Sequence, residues 1–362
     1  MKRRAFLRTG AATALAAPIA APAIAQSAPE IKWRMTSSFP KSLETIFGTG
    51  QMLSRYVAEA TDNRFLIQPF QAGELVHSQQ ALSAVSSGSV ECAHTPTYFY
   101  TSKEPTLAFG TGVPFGLNSR HQYAWWSFGG GADIVNASLK RHNAFGIPAG
   151  LTGVQMGAWF RKEVDSVDDL KGLRFRISGL GGAVLARIGA APQHMPHSDA
   201  YAALEHGTID AAEFICPYDD EKLGLPRVAK YNYNPCWWES GGMVHMIVNL
   251  EKWNALPRSY QSILTRACDA ATSWMLAKYD SVNPPALKRL VAAGAVLKTF
   301  PQAIMDACYR AANEHYAELA AKDPQFKRAL DSVNAFRKDK VPWWRISEHA
   351  FDGFMIGARG RA

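Results

Sequence analysis

"AVSSGSVECA" (residues 84–93) and "ALEHGTIDAA" (residues 203–212) align without a gap. Each reads as a helix end, a glycine, a β-branched residue, an acid and then small residues. Gly88 and Gly207 fit the left-handed position that closes a helix. Val90 and Ile209 fit the start of a buried strand. Two ordinary helix–glycine–strand joints could match by chance over so short a length. The better reading is one unit used twice, which implies two lobes built alike.

The surroundings of each copy support that reading. Hydrophobic periodicity predicts a strand over 31–39, a helix over 44–61, a strand over 63–70, a helix over 79–87 and a strand over 89–94. The rhythm returns as a strand over 173–178, helices over 183–188 and 198–206, and a strand over 208–215. Such alternation argues for an α/β fold with largely parallel sheets. Two α/β lobes leave a cleft between them, and ligands in such sheets bind beyond the carboxyl ends of strands. The residues just past each copy should face that cleft. They are 94–100, which include Tyr98, Phe99 and Tyr100, and then Glu213, Phe214 and Ile215.

The strand over 173–178 raises a question. Leu173, Phe175 and Ile177 form its apolar face, while Arg174 and Arg176 leave the other side, followed by Gly179, Gly181 and Gly182. Arginine presents a planar fork that matches a carboxylate bidentately. On the residues alone, each arginine serves equally well as an anion ligand or as the partner of a structural acid. The glycines read as a turn that something approaches closely.

The chain ends bound the function. "MKRRAFLRTGAATALAAPIAAPAIAQ" has a basic start, an Ala-rich apolar run and an A-x-A site, the pattern of a secretory signal over 1–25. Arg3-Arg4 before Phe6-Leu7 resembles the twin-arginine type. The run is short and weakly apolar for a membrane anchor. Cleavage removes four positive charges and no negative ones, leaving 337 residues and lowering the formal charge from +8 to +4. That mild charge gives nucleic acid little to bind. Five scattered cysteines make no disulfide framework, and buried free thiols are the simpler reading. Enzyme motifs are missing: there is no G-x-S-x-G, H-E-x-x-H or P-loop, and "GLGG" (179–182) lacks the dinucleotide spacing. His194 and His197 flank Met195-Pro196 with no third ligand nearby, and read as turn residues.

The stretch "DSVDDLKGLRFRISGLGGAVLARIGAAPQHMPHSDAYAALEHGTIDAAEF" (165–214) resembles the central signature of the periplasmic substrate-binding subunits of TRAP transporters. "YFYTSKEPTLAFGTGVPFGLN" (98–118), "CPYDDEKLGL" (216–225) and "YNYNPCWWESGG" (231–242) resemble the branch that binds 2-oxo and 2-hydroxy monocarboxylates. Phe214 and Cys216 depart from that branch, which commonly has Trp and Gly there. The resemblance implies two similar α/β lobes around a central cleft, of the periplasmic binding protein type, joined by strands and a long lobe-spanning helix. Arg258–Ser281, with no glycine or proline, is the candidate for that helix. The boundaries expected are 26–150 with 227–250 for lobe I and 151–226 with 251–290 for lobe II. A C-terminal helical segment over 291–362 carries Trp343, Trp344, Ile346, Phe351, Phe354 and Met355, and is a possible dimerisation element.

The resemblance also assigns roles. Arg176 is expected to hold the substrate carboxylate, with Arg174 left to a structural acid. Gln155 is expected to contact both ligand and cation. Gln155, Glu213, the Phe214 carbonyl and Glu239 make an oxygen-only set that suits Na⁺ or Ca²⁺. Tyr98, Tyr100, Phe214 and the Trp237-Trp238 pair are expected to wall a small acid. The function implied is capture of a pyruvate- or lactate-like acid in the periplasm and its delivery to TRAP membrane permease subunits. The competing expectation is a periplasmic enzyme acting on the same acids with metal assistance.

Overall fold

A computed structural model describes residues 29–195 and 199–359. The leader expected over 1–25 and His197 lie outside the described residues. Strands β1 (Ile31–Ser37), β2 (Phe65–Phe70), β3 (Cys92–Pro96), β4 (Ala144–Leu151) and β10 (Met243–Asn249) form one sheet, in the order β2-β1-β3-β10-β4. The second sheet has the order β11-β9-β5-β8-β6-β7. Its strands are β5 (Ala158–Phe160), β6 (Arg174–Arg176), β7 (Ala191–Gln193), β8 (Ala211–Glu213), β9 (Tyr231–Asn234) and β11 (Val296–Thr299).

The repeated joint is the same structure twice. Gly88 has φ +76° and Gly207 φ +69°. Val90 N donates to the Ala84 carbonyl (3.3 Å), and Ile209 N to the Ala203 carbonyl (3.2 Å). These are the wrap-around bonds of a glycine-closed helix end. The likeness continues into the acids that follow. Glu91 takes the backbone N–H, Nε and Nη2 of Arg34 on β1 (2.7, 3.1 and 2.9 Å). Asp210 takes the same three donors of Arg174 on β6 (3.0, 2.9 and 2.7 Å). Arg174 is therefore a structural arginine. The copies diverge one step further on. By strand register, Arg176 and Glu213 of lobe II stand where lobe I has Thr36 and His94. His94 is buried, and burial pushes its pKa down to about 4, so it stays neutral. Fixed charge at this pair of positions belongs to lobe II alone.

The sheets are mixed rather than largely parallel. β10 runs antiparallel to β3 and β4, and β5 runs antiparallel to β8 and β9. Both are strands the chain enters from the other lobe. Segment 152–157 carries it from β4 to β5, and segment 235–242 returns it from β9 to β10. The span 227–250, expected whole in lobe I, is thus divided: β9 belongs to the second sheet and β10 to the first. Apolar alternation marks a strand but carries no information about which sheet accepts it.

The third connection is the helix Arg258–Ala292, 35 residues long and so about 52 Å at 1.5 Å per residue. Tyr260, Leu264 and Ala271 pack with the lobe I core residues Trp33, Leu53 and Phe65. Tyr279 and Leu290 pack with Trp159 and Ile215 of lobe II. It runs eleven residues past the expected end, through Pro284 and Pro285. A proline in a helix interior costs about 3 kcal/mol. Burial of Ala286 and Leu290 and the Arg289–Glu221 pair (2.7 Å) hold the last turns in place.

Under this helix lie two buried acids. Asp219 accepts from Tyr279 Oη (2.5 Å) and Asp220 from Trp159 Nε1 (2.8 Å). Burial pushes Asp219 up to about 7 and Asp220 up to about 8. The native state then keeps protons that the unfolded chain has released, so stability falls as pH rises from about 4 to about 8. Asp220→Asn should flatten that fall. Urea midpoints at pH 5 and pH 8.5 check this, and parallel pH profiles for the two proteins would refute it.

The stretch 179–182 is the first turn of the helix Gly179–Arg187 rather than a turn before it. Gly179 has φ +64°, a left-handed conformation that favours glycine, and Gly181 has no room for a side chain. An added Cβ would lie 3.4 Å from the Tyr98 ring at Gly179, and 2.8 Å from Trp238 Cβ at Gly181. All five cysteines are buried and free. Among the described residues, no helix is long and apolar enough to cross a membrane.

Candidate functional site

The two crossovers meet at the lobe boundary. Thr152 N donates to the Gly242 carbonyl (3.0 Å), and Gly242 N to Thr152 Oγ1 (2.8 Å). This tie brings Gln155 from the first crossover beside Glu239 from the second. Gln155 Nε2 donates to Glu239 Oε1 (2.9 Å) and to Thr152 Oγ1 (3.2 Å). Gly242 has to be glycine, since a Cβ there would sit 2.3 Å from Glu239 Oε1.

Lobe II brings its charge to the same place. Parallel pairing of β6 with β8 sets Arg176 beside Glu213. Arg176 is 2% exposed and Glu213 4%. Arg176 Nη1 donates to Glu213 Oε1 (2.5 Å) and to the Glu213 carbonyl (2.8 Å). Nη2 donates to Ser178 Oγ (3.1 Å) and Nε to the Met195 carbonyl (3.3 Å).

Beside this pair lies a small chamber of about 20 Å³, lined by Tyr98, Thr152, Gln155, Glu213, Phe214, Glu239 and Gly242. Phe39, Ile46, Pro96, Ile215 and Val244 form its apolar walls. That volume admits one water-sized particle, since a water needs roughly 10–15 Å³. Tyr98 also borders a groove of about 690 Å³ that opens outward past Ser178, Gly179 and His194. The ring of Tyr98, seated on Gly179, separates groove from chamber.

One arginine faces two buried acids. Burial raises the Glu213 pKa, outweighing the opposing charge of Arg176. Burial and then the charge of Glu213 push Glu239 up to about 8, while hydrogen bonds from Gln155 and Tyr98 act the other way. A buried carboxylate without a counter-charge is costly, so this cluster calls for a proton or a cation. Gln155 Oε1 is buried and accepts no hydrogen bond. An unengaged amide oxygen lining one chamber with two carboxylates is an oxygen-only donor set, which fits a hard cation such as Na⁺ or Ca²⁺. Among the described residues, no group of three His, Cys, Asp or Glu side chains is placed to hold a metal ion, so a cation here would rely on the Gln155 amide and backbone oxygens beside the two carboxylates.

Other expected residues lie elsewhere. Tyr100 is not at the chamber. The short 3-10 turn Thr97–Tyr100 points it back into lobe I, where its hydroxyl pairs with Thr95 Oγ1 (2.8 Å) and donates to the Ser78 carbonyl (3.2 Å). Trp237 and Trp238 are buried beside the site without lining the chamber: Trp237 stacks on Phe115, and Trp238 packs on Phe175. Arg176 reaches the chamber only through Glu213. Thr152, Ile46 and Val244 were not foreseen, because single residues from separate segments carry no local pattern.

Two α/β lobes hinged by three connections, with the polar groups at their junction, define a receptor that closes over a small solute. The chain belongs to the bacterial extracellular solute-binding proteins of family 7 (DctP), whose model matches residues 36–323. It is 46% identical over 99% of its length, and 100% of the relative's, to the monocarboxylate 2-oxoacid-binding periplasmic protein of Nostoc sp. (strain PCC 7120). Among solved structures it resembles a TRAP transporter solute-binding protein from Bordetella bronchiseptica. The TM-score is 0.90 at 45% identity, covering 92% of this chain and 99% of the other. That protein is a dimer of mixed occupancy with calcium and picolinate in one site. A TRAP periplasmic solute-binding protein from Pseudoalteromonas atlantica, which holds sodium and pyruvate, matches with a TM-score of 0.84 at 33% identity, covering 89% and 98%. The family consists of solute receptors, and the expectation of a metal-assisted enzyme is set aside on that ground.

Proposed function

We propose that this chain captures a small 2-oxo or 2-hydroxy monocarboxylate together with Na⁺ or Ca²⁺, outside the cytoplasm, and hands it to TRAP permease subunits. The observation that carries the reading is the buried Gln155 Oε1, which accepts no hydrogen bond, in a chamber that Glu213 and Glu239 also line. A bound cation supplies the positive charge this cluster lacks. Gln155, Glu213, the Phe214 carbonyl and Glu239 hold it, and Arg176 faces the substrate carboxylate. Tyr98 closes over the acid when the lobes meet, and exclusion of water strengthens each charged contact. The relatives that hold calcium with picolinate and sodium with pyruvate support the same ligand chemistry.

Calorimetry with C2–C6 oxo, hydroxy and dicarboxylic acids, each with and without the two cations, tests the reading. Pyruvate-like acids should bind in a cation-dependent way, and NMR should recover them unchanged. Binding confined to dicarboxylates, or turnover of the acid, would overturn it.

The C-terminal helices complete the proposal as a homodimer element. Trp343, Ile346, Phe351, Phe354 and Ile356 are each more than half exposed on Pro324–Ile346 and Glu348–Arg359. Five large apolar side chains exposed on two successive helices are what an interaction site would supply, and the Bordetella bronchiseptica relative is a dimer. Sedimentation velocity should show a dimer that Phe351→Asp/Phe354→Asp converts to monomer. A wild-type monomer at tens of micromolar would remove this element.

A further inference from the structure

Crossover 235–242 delivers Glu239, and its outer side is covered by a strap, residues 112–117. Phe115 N donates to the Trp237 carbonyl (2.7 Å), and the Phe115 ring stacks on Trp237 (centroids 5.3 Å, 16°). Ser240 Oγ donates to the Leu117 carbonyl (2.6 Å). At Gly112 an added Cβ would lie 3.8 Å from Glu239 Cγ, so the strap backbone runs along the stem of that acid. Phe115 has φ +52°, a left-handed conformation that costs an L-residue about 1–2 kcal/mol. Bulky residues stay there only where their surroundings over-determine them.

The surroundings that do so belong to a C-terminal hairpin of two helices, Gln302–Lys322 and Pro324–Ile346. Arg337 Nη1 donates to the Phe115 carbonyl (2.7 Å), and Tyr316 Oη to the Pro114 carbonyl (2.7 Å). Tyr309 meets the Phe115 ring edge-on. A cavity of about 150 Å³ separates strap from hairpin, lined by Val113–Gly116 together with Tyr316, Val333 and Arg337. Close packing is therefore incomplete on that side, and the two hydrogen bonds fix the strap.

We propose that Arg337 is a positioning residue for the cation and ligand site. With Tyr316 it clamps the strap onto the crossover, and so sets where the Glu239 carboxylate stands relative to Gln155. Neither Arg337 nor Tyr316 borders the chamber. Without the clamp, the strap relaxes into the cavity, Trp237 follows it, and Glu239 withdraws. The proposal rests on the cation-dependent reading above. Groups that orient a metal ligand from behind typically change metal affinity by about 10- to 100-fold.

The test uses the mature chain with Arg337→Ala, Arg337→Lys and Tyr316→Phe. Pyruvate binding is titrated across a calcium series, and amide hydrogen exchange is followed over 235–242 without ligand. Arg337→Ala should need roughly tenfold more calcium for half-maximal binding, with faster exchange at Trp237–Glu239 and partial rescue by lysine. A lowered melting temperature with an unchanged calcium midpoint would make Arg337 a structural residue only. If Arg337→Ala does not fold, the two gentler variants decide by the same midpoint. If the wild type binds no acid at any cation concentration, the functional reading fails. The clamp is then judged by exchange alone, and unchanged exchange in the variants overturns it.

Discussion

Arg176→Ala is expected to abolish carboxylate binding while leaving two folded lobes. Truncating one partner of a desolvated, hydrogen-bonded charge pair costs about 2–5 kcal/mol. At 1.4 kcal/mol per decade that is roughly 30-fold to several-thousand-fold in affinity. The arginine has a second duty, because its Nη1 neutralises Glu213 within a buried pair. Leaving a buried partner unpaired typically destabilises by about 3–5 kcal/mol. The single variant should therefore also melt earlier. Arg176→Ala/Glu213→Gln should recover much of the melting temperature and none of the affinity, which separates the two duties. Arg176→Lys keeps the charge without the fork and should bind weakly. Arg174→Ala removes only the half-exposed clamp to Asp210 and should leave affinity within a few-fold. Calorimetry alongside thermal melts reads all four variants. Near-wild-type affinity in a folded Arg176→Ala protein would refute the assignment.

Much of the fold is legible because backbone chemistry repeats. The left-handed closure at Gly88 and Gly207 requires glycine at one place in each lobe, and the sequence displays both. Each acid that follows clamps an arginine; a structural acid was expected for Arg174, without Asp210 being named, and nothing was expected for Arg34. Arg174 sits next to Arg176 in a motif, whereas Arg34 lies 57 residues from Glu91 with nothing local to mark it. Strand direction was not legible. β5 and β10 are buried at every position, so no face pattern marks their direction, and the crossovers that lead into them make them antiparallel. Gly179, Gly181 and Gly182 were seen as places of close approach, yet taken for a turn. Glycine is a poor helix former, and the reasons it opens a helix here are the positive φ at Gly179 and the space that Trp238 takes at Gly181.

The site was legible where it rests on long motifs and illegible where single residues converge. Glu213 and Phe214 follow the repeated unit, Arg176 sits in the strand motif that precedes it, and Gln155 and Glu239 belong to the stretches that cross between lobes. Tyr100 was misplaced because a 3-10 turn rotates successive residues by about 120°, so Tyr98 and Tyr100 cannot both face the cleft. Thr152 and Gly242 tie the crossovers through one backbone bond and one from Gly242 N to the Thr152 hydroxyl, and a single threonine and a single glycine 90 residues apart form no local pattern.

Removing the cation is expected to have the other large effect. Glu213 and Glu239 lie in a chamber that one arginine serves, and a bound monocarboxylate adds a third negative charge. Arg176 cannot neutralise all three. In cation-free buffer the acid has to enter against uncompensated buried charge, or a carboxyl has to take up a proton first. Protein dialysed exhaustively against a chelator in sodium-free buffer should therefore bind pyruvate weakly. Restoring Ca²⁺ or Na⁺ should recover the affinity, by about tenfold or more. A 2-oxo acid can offer both a carboxylate and a carbonyl oxygen to the ion, so propionate, which lacks the second oxygen, should gain far less. Glu239→Gln and Glu213→Gln each remove a ligand charge and should both weaken binding and blunt the response to the ion. The two should differ in stability, since Glu213→Gln leaves Arg176 buried without its partner, whereas Glu239→Gln relieves an unpaired acid and should raise the melting temperature of cation-free protein. Equal pyruvate affinity in chelated, sodium and calcium buffers would make both glutamates structural and take the ion out of the binding reaction.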